Sequence, residues 1–243
     1  MKVINKLLSI YKKETFDPGF IGIFINPFYF IRKGLVNGIR RNSNRLGGKL
    51  LDFGCGSKPY INLFNPEIYI GVDIIDRGHS HEKEPIDIYY DGKGLPFKDG
   101  VFDSVFSSEV FEHVFNLEEV LSELKRVLKK DGLALFTVPF VWDEHEVPYD
   151  FGRYSSFGIK YLLEKAGFQI INLEKSTKFL ETVFQLWNLY LYYKLYTKNK
   201  YLNILINILF IAPFTILGIL ISGILPNNKS LYHNNIVLAK RVL

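Results

Sequence analysis

The sequence holds a single cysteine, Cys55, so it can form neither an intramolecular disulfide nor a cysteine-based metal site, and a reducing compartment is expected. It also lacks a dominant charge: 30 Lys and Arg stand against 25 Asp and Glu, a net charge of +5. Such a balance attracts phosphate or anionic lipid only weakly, and nucleic acid is not expected as a partner. The first residues, MKVINKLLSIYKKE, lack an apolar core of signal-peptide length ending in small residues, which predicts a cytoplasmic domain. What the sequence does have is 243 residues with 48% hydrophobic and 23% charged side chains. That is enough to fold one large α/β domain or two small ones, and it excludes wholesale disorder.

From Lys49 onward, short apolar runs alternate with helix-length segments, the pattern of βαβ units around a parallel sheet. KLLDF, YIGVDI, VFDSVFSS, LALFTVP and QIINLEKS read as strands, separated by loops with Gly, Pro and Asp. LEEVLSELKRVLKKDG reads as an amphipathic helix. Leu117, Val120, Leu121, Leu124 and Leu128 recur at helical spacing, Lys129 and Lys130 fall in its last turn, and Gly132 ends it. SSFGIKYLLEKAGF reads as a further helix. The expected organisation is an N-terminal helical and apolar extension over 1–47, an α/β core over 48–176, an apolar helical insertion over 177–230 and a final strand of the core over 231–243.

The insertion breaks the rhythm. Residues 177–200 are rich in aromatics, and 201–225 (YLNILINILFIAPFTILGILISGIL) carry no charge. A stretch of about 20 apolar residues is long enough to cross a bilayer. NNIVLAKRVL follows, however, and as a strand it must return to the sheet that pairs with it. Pro213 interrupts the run, and Asn203 and Asn207 give one side a polar stripe. These features predict two shorter helices lying on or dipping into a membrane surface, a peripheral contact through 201–225. The alternative is a buried hairpin that packs on the domain or on a second subunit. FIGIFINPFYFI, nearer the N-terminus, is too short to span and is expected to join the same apolar surface.

LLDFGCGSKPY is a strand, a Gly-x-Gly turn and a helix start, an arrangement that lets backbone approach a bound nucleotide closely because Cβ atoms are absent. Asp73 follows Gly54 by 19 residues, at the end of the second strand, where a carboxylate can accept both ribose hydroxyls of an adenosine. A nicotinamide or flavin dinucleotide satisfies the same spacing. Against a dinucleotide, the third glycine of the fingerprint is missing: Ser57, Lys58 and Pro59 follow Gly56. Adenosine without a pyrophosphate is favoured. Cys55 reads as a small packing residue with no thiol chemistry.

LLDFGCGSKPY, GVDII, YYDGKGLPFKDGVFDSVFSSEVFEHV and the helix ending KRVLKKDGLALFTVP, in that order, resemble class I S-adenosylmethionine-dependent methyltransferases of the type 11 group, over about residues 48–175. The resemblance implies an α/β fold: a doubly wound, seven-stranded, mostly parallel sheet of the Rossmann-like methyltransferase kind, with NNIVLAKRVL as its one antiparallel strand near the edge. It implies S-adenosyl-L-methionine as cofactor. Asp52, Gly54, Cys55 and Gly56 would surround the methionine part, with Asp52 on the ammonium group, and Asp73 would take the ribose. Asp91 would meet the adenine amino group, Ile74 with Gly92 or Leu95 would flank the ring, and Ser108 and Glu109 would face the methionine and the methyl group. The chain departs from the family's pattern at residues 57–59, although a proline at a helix N-terminus is physically comfortable. Glu112 and His113 read as shaping the turn after the strand.

After the fifth strand comes FVWDEHEVPYDFGRYSSFG, dense in polar and charged residues at a strand end, where function sits in open α/β sheets. HEVPYDFGRYS resembles a stretch in methyltransferases of this group that are linked to surface polysaccharide synthesis. His145 suits the task of accepting a proton from an acceptor hydroxyl, with Glu146 or Asp150 orienting it. Arg153 suits a phosphate or carboxylate on the substrate, and Tyr154 suits a sugar. The alternative for Arg153 and Asp150 is an ion pair that ties down the loop. HEVPYD lacks the two-histidine helical spacing of zinc hydrolases and Pro148 blocks a helix there, so no metal is assigned. The expected reaction is methyl transfer to an oxygen or nitrogen of a small or lipid-linked acceptor, such as a sugar of a surface polysaccharide precursor. A quinone-like lipid acceptor is the nearest rival. A nucleotide-dependent oxidoreductase and a non-catalytic membrane-docking module are rivals of other classes.

Overall fold

The computed structural model describes residues 2–74 and 84–242, with side chains from Ser9 onward. The chain forms two compact units, Met1–Asn37 with Lys175–Asn234, and Gly38–Glu174 with Asn235–Leu243. The strands are β1 (Lys49–Phe53), β2 (Ile68–Ile74), β3 (Ile88–Tyr90), β4 (Phe102–Ser108), β5 (Leu128–Pro139), β6 (Phe168–Lys175) and β7 (Asn234–Arg241). The α-helices are α1 (Lys2–Phe16), α2 (Gly22–Ile25), α3 (Tyr29–Ser43), α4 (Leu117–Val127), α5 (Ser156–Lys165), α6 (Phe179–Leu195), α7 (Lys200–Ile206) and α8 (Ala212–Ile224).

One sheet runs in the order β3-β2-β1-β4-β5-β7-β6. β1 pairs in parallel with both β2 and β4, and the β2–β3 and β4–β5 pairs are parallel as well. β7 runs against β6: Val242 donates its N–H to the Gly167 carbonyl at one end, and Ser176 donates to the Asn234 carbonyl at the other. The sheet is thus the doubly wound, mostly parallel one that was expected. Its antiparallel strand lies one place in from the edge. Six strands are legible in the sequence as apolar runs, whereas β3 has three residues and leaves no such run.

Parallel strands covered on both faces read as near-continuous apolar stretches. Leu50, Leu51 and the run from Ala134 to Phe136 are accordingly buried. Leu121 and Leu124 of α4, and Ile159 and Leu163 of α5, join Leu51, Phe53, Val105 and Phe136 in one core. Each such side chain contributes about 1.5–3 kcal/mol by leaving water. Ser155 caps α5 by accepting from the Gly158 N–H at 3.2 Å.

The end of α4 differs from expectation. The helix stops at Val127, its last-turn cations are Lys125 and Arg126, and Leu128 already begins β5. Leu128 pairs with Phe102, whereas Ser104 pairs with Leu133, so residues 129–132 loop out of the ladder. Fully burying Leu128 in the sheet outweighs another helical turn, and Lys129 instead bonds Asp103 at 2.6 Å.

In the helical unit, the helical run that begins with α7 does not break at the proline. Lys200–Ile224 is one helical run of 25 residues, long and apolar enough to cross a membrane by length and composition. A π-helical turn, Asn207–Ile211, joins α7 to α8, and Pro213 sits in the first turn of α8. The wide turn relaxes the hydrogen-bond ladder just where the proline offers no N–H, so the chain bends its register without breaking. The predicted division into two separate helices is corrected accordingly. Asn207 is also turned inward, not outward: it is buried, donates Nδ2–H to the Phe24 carbonyl at 2.9 Å and accepts from the Tyr196 hydroxyl at 3.0 Å.

Candidate active site

The chain leaves β1 for β2 and β3 on one side, and β4 continues on the other. At such a reversal the crevice outside the carboxyl ends of the strands is the natural ligand site of an open α/β sheet. A cleft of about 150 Å³ opens there. Gly54 and Gly56 line it after β1, Asp73 and Ile74 at the end of β2, Tyr90 and Gly92 around the end of β3, and Glu109 and Val110 after β4. His113, Asn116, Glu146 and Tyr149 close its other side.

The glycine turn is dictated by space. Gly54 has φ +71°, and a Cβ there would lie 2.3 Å from Cγ2 of Val110. Its N–H and that of Cys55 both donate to the Val72 carbonyl, tying the turn to β2. Asp73 accepts from the Gly56 N–H through Oδ2 and from the Ile74 N–H through Oδ1, each at 2.8 Å. Both carboxylate oxygens keep a second acceptor position for hydroxyl donors in the cleft. Lys58, where a dinucleotide loop would continue toward its third glycine, is buried and donates to Asp87 at 2.6 Å. Asp87 also accepts from the Gly71 N–H at 2.6 Å, so this pair anchors the loop to β2. Burial raises the Asp87 carboxyl, but the Lys58 and Gly71 hydrogen bonds outweigh it and hold it below its ordinary range. Glu109, at φ +56°, takes a left-handed conformation uncommon for a non-glycine residue, the kind of local strain that gathers at functional sites.

Of the residues singled out in the sequence, Gly54, Gly56, Asp73, Ile74, Gly92, Glu109 and Glu146 line this cleft. Others are placed differently. Asp52 is buried in β1 and accepts from the Tyr69 hydroxyl at 2.6 Å. Burial pushes its carboxyl up to about 7, while the hydrogen bond from Tyr69 and the charge of Lys58 pull it back. Cys55 is buried, and burial raises its thiol, as suits a packing residue. Asp91 is exposed and accepts from the Lys93 N–H in a local turn. Leu95 belongs to the apolar core. Ser108 shares a hydrogen bond with Thr137 at 2.8 Å.

In the loop after β5, Arg153 donates to both oxygens of Asp150, at 2.5 and 2.7 Å, and to the carbonyls of Gly152 and Asp143. The fork is therefore committed to the protein, the ion-pair alternative of the sequence reading. Asp150 also accepts from the His145 backbone N–H at 2.9 Å, and its carboxyl is held low against burial by Arg153. Tyr154 packs against the core. His145 meets His113, ring nitrogen to ring nitrogen, at 3.2 Å.

Tyr90, Val110, His113, Asn116 and Tyr149 line the cleft without having been singled out as contacts. His113 and Tyr149 meet only through the fold, since the His113 ring bonds the Tyr149 carbonyl at 2.7 Å across 36 positions. No short sequence pattern carries that pairing. A carboxylate-bearing glycine turn beside an apolar and aromatic wall can hold an adenosine with a polar tail, so the residues present fit S-adenosylmethionine.

Residues 51–136 match a family model described as a methyltransferase domain, Methyltransf_11. Among characterised and uncharacterised relatives, a protein of Methanocaldococcus jannaschii is 35% identical over 140 residues, 57% of this chain and 62% of the relative. A sarcosine/dimethylglycine N-methyltransferase of Halorhodospira halochloris is 38% identical over 69 residues, 28% of this chain and 24% of the enzyme. The chain spans less than two thirds of the length of the curated relatives it matches. Among solved structures, phosphoethanolamine N-methyltransferase 2 of Haemonchus contortus, in complex with S-adenosyl-L-methionine, superposes with a TM-score of 0.52 at 19% identity, covering 96% of this chain and 57% of that one. That likeness is one of fold.

Proposed function

From the match of residues 51–136 to a methyltransferase domain model, we propose that this chain is an S-adenosylmethionine-dependent methyltransferase. The observation that carries the reading is the Gly54–Gly56 turn bonded to Asp73 at the reversal point of a sheet with this family's match. Asp73 takes the ribose hydroxyls, Ile74, Tyr90 and Gly92 enclose the adenine, and Glu109 faces the methionine end. When bound, the cofactor supplies an electrophilic methyl group on sulfur and leaves as S-adenosylhomocysteine. The chain's own part is to hold an acceptor oxygen or nitrogen in line with that methyl and to keep water away. Glu146, the member of the predicted catalytic group on the cleft wall, receives the acceptor's proton.

The acceptor is a small or lipid-linked molecule, and the helical unit favours the lipid-linked kind. Only 28% of the most apolar stretch of Lys200–Ile224 is buried, and Leu209, Leu217, Leu220 and Ile224 lie on its outside. An apolar face of this extent marks a contact with membrane or partner. Behind it, Gln185 and Asn207 bond to backbone and to the Tyr196 hydroxyl within the unit, and this inward placing of polar groups favours a bilayer at the inner face of the membrane. The test is incubation of the folded chain with S-adenosylmethionine labelled in its methyl group, offered water-soluble and lipid extracts separately. Label should pass into the lipid extract and fail to pass with Asp73→Ala. No transfer to either extract overturns the activity, and transfer to soluble acceptors alone overturns the lipid-linked reading. In vesicle co-sedimentation, a Leu209→Ser, Leu217→Ser, Leu220→Ser variant should stay in the supernatant; undiminished binding removes the membrane contact.

A further inference from the structure

Glu112 and His113 end the short 3-10 turn that follows β4, and His145 lies in the loop after β5. HEVPYD holds a single histidine, His145, and the fold brings His113 to it from 32 positions away. The donor atoms of Glu112, His113 and His145 all lie within 4.8 Å of one another.

The hydrogen bonds around the two rings fix their tautomers by inference. His113 Nδ1 is 2.7 Å from the Tyr149 carbonyl, which can only accept, so that nitrogen carries the proton. His145 Nδ1 is 3.3 Å from the Asp143 carbonyl and 3.3 Å from Oδ2 of Asp150. Arg153 Nη2 also stands 3.4 Å from it, but its two protons point to the Asp143 carbonyl at 2.6 Å and to Asp150 at 2.7 Å. His145 Nδ1 therefore faces acceptors and carries its proton too. The two Nε2 atoms then face each other at 3.2 Å, a separation that a single ion bound by both can span. Beside them the Glu112 carboxylate is fully buried, with no hydrogen bond from another described residue to either oxygen. Glu112 Oε1 lies 3.8 Å and Glu146 Oε2 3.9 Å from His113 Nε2.

We infer that Glu112, His113 and His145 hold a divalent transition-metal ion at the wall of the cleft, with Glu146 left free of the ion as proton acceptor. Two imidazole nitrogens bound to one tetrahedral ion at about 2.0–2.1 Å stand roughly as far apart as these two do. A backbone carbonyl or carboxylate on each Nδ1–H is the usual outer support of a metal-bound histidine. Two nitrogens with one carboxylate suit zinc, cobalt or iron, whereas magnesium and calcium prefer oxygen alone. His113 and Glu146 line the cleft, so the ion's open position faces it. The ion site stands apart from the methyltransferase reading; only its use, to bind and polarise an oxygen of the acceptor, rests on that reading.

The test uses the tag-free full chain, stripped with chelator and titrated with Zn²⁺ and with Co²⁺, by calorimetry and by the visible absorption of the cobalt form. One equivalent should bind, with a spectrum of four- or five-coordinate cobalt, and excess Mg²⁺ should not displace it. His113→Ala and His145→Ala should each weaken binding by about 100-fold or more, and Glu112→Gln by about tenfold or more. S-adenosylmethionine binding, measured separately on the stripped protein, reports on the cofactor reading alone. Failure of the wild-type chain to bind either ion, or equal binding by the His113→Ala, His145→Ala double variant, overturns the inference. Should the variants fail to fold, X-ray absorption of the metal-loaded wild type decides: two imidazole nitrogens in the shell support the site, and an all-oxygen shell overturns it.

Discussion

In the sheet-bearing unit the buried side chains are chiefly Leu50, Leu51, Phe102, Val105, Phe136 and their like, and the few buried charges are Asp52 in β1, Lys58 in the loop after it and Glu112 beside the cleft. The helical unit mixes its interior differently. Phe30, Leu189 and Ile211 are buried there, but so are Thr182, Gln185, Asn188, Asn207 and Thr215, while Leu209, Phe210, Leu217 and Leu220 are on the outside. The buried amides bond within the unit: Gln185 accepts from the Phe30 N–H and donates to the Pro27 carbonyl, and Asn188 donates to Thr215. Gly218 lets α8 approach closely, since a Cβ there would lie 2.8 Å from the rings of Phe184 and Phe30. The helical unit thus places small and polar residues inside and apolar ones outside, the reverse of the sheet-bearing unit's balance.

The sharpest way to break this comparison is to remove apolar side chains from each unit. Phe136→Ala should cost about 3–5 kcal/mol in denaturant unfolding, whereas Leu220→Ser in water should change stability by only about 0.5 kcal/mol. Equal losses would show that the outer face of α8 is an ordinary core surface.

The next effect belongs to the sheet-bearing unit alone. Burial raises the Asp52 carboxyl to about 7, so the folded chain keeps a proton that the unfolded chain has already lost. The stability this proton confers is fully present below about pH 4 and is lost as pH rises through about 7, a few kcal/mol in all. Asp52→Asn should flatten that part of the stability–pH curve, and an unchanged slope would contradict the assignment. In the helical unit, Gln185→Ala should cost about 1–3 kcal/mol by stranding the Phe30 N–H and the Pro27 carbonyl, and a neutral result would mean that the buried amide carries no load. Smallest are the helix caps. Ser155→Ala in one unit and Asn199→Ala in the other should each cost about 1 kcal/mol, because capping does not depend on which face is apolar.

The apolar runs of β1, β4 and β5 and the periodic leucines of α4 made the sheet's strands and α/β class legible, because burial on both faces leaves a local signature, whereas the strand order appears only in the fold. The end of α4 was not, since Leu128 chose the sheet through its partner Phe102, a residue far away in sequence. β3 was too short to be seen. The glycine turn and Asp73 were readable because their spacing is local to one βαβ unit. Leu95, Ser108 and Arg153 were assigned to ligand, yet their partners lie within the fold, and only three-dimensional packing reveals those bonds. The same limit hid the approach of His113 to His145. In the insertion, the absence of charge was plain, but the inward turn of Asn207 depends on Phe24 and Tyr196.

The account stands most directly on calorimetric titration of the folded chain with S-adenosylmethionine. It predicts one saturable site, with Asp73→Ala at least about tenfold weaker through the lost hydroxyl bonds to a charged carboxylate, and with an unchanged near-ultraviolet dichroism spectrum. No binding by the wild type, or the same affinity in Asp73→Ala, would contradict it.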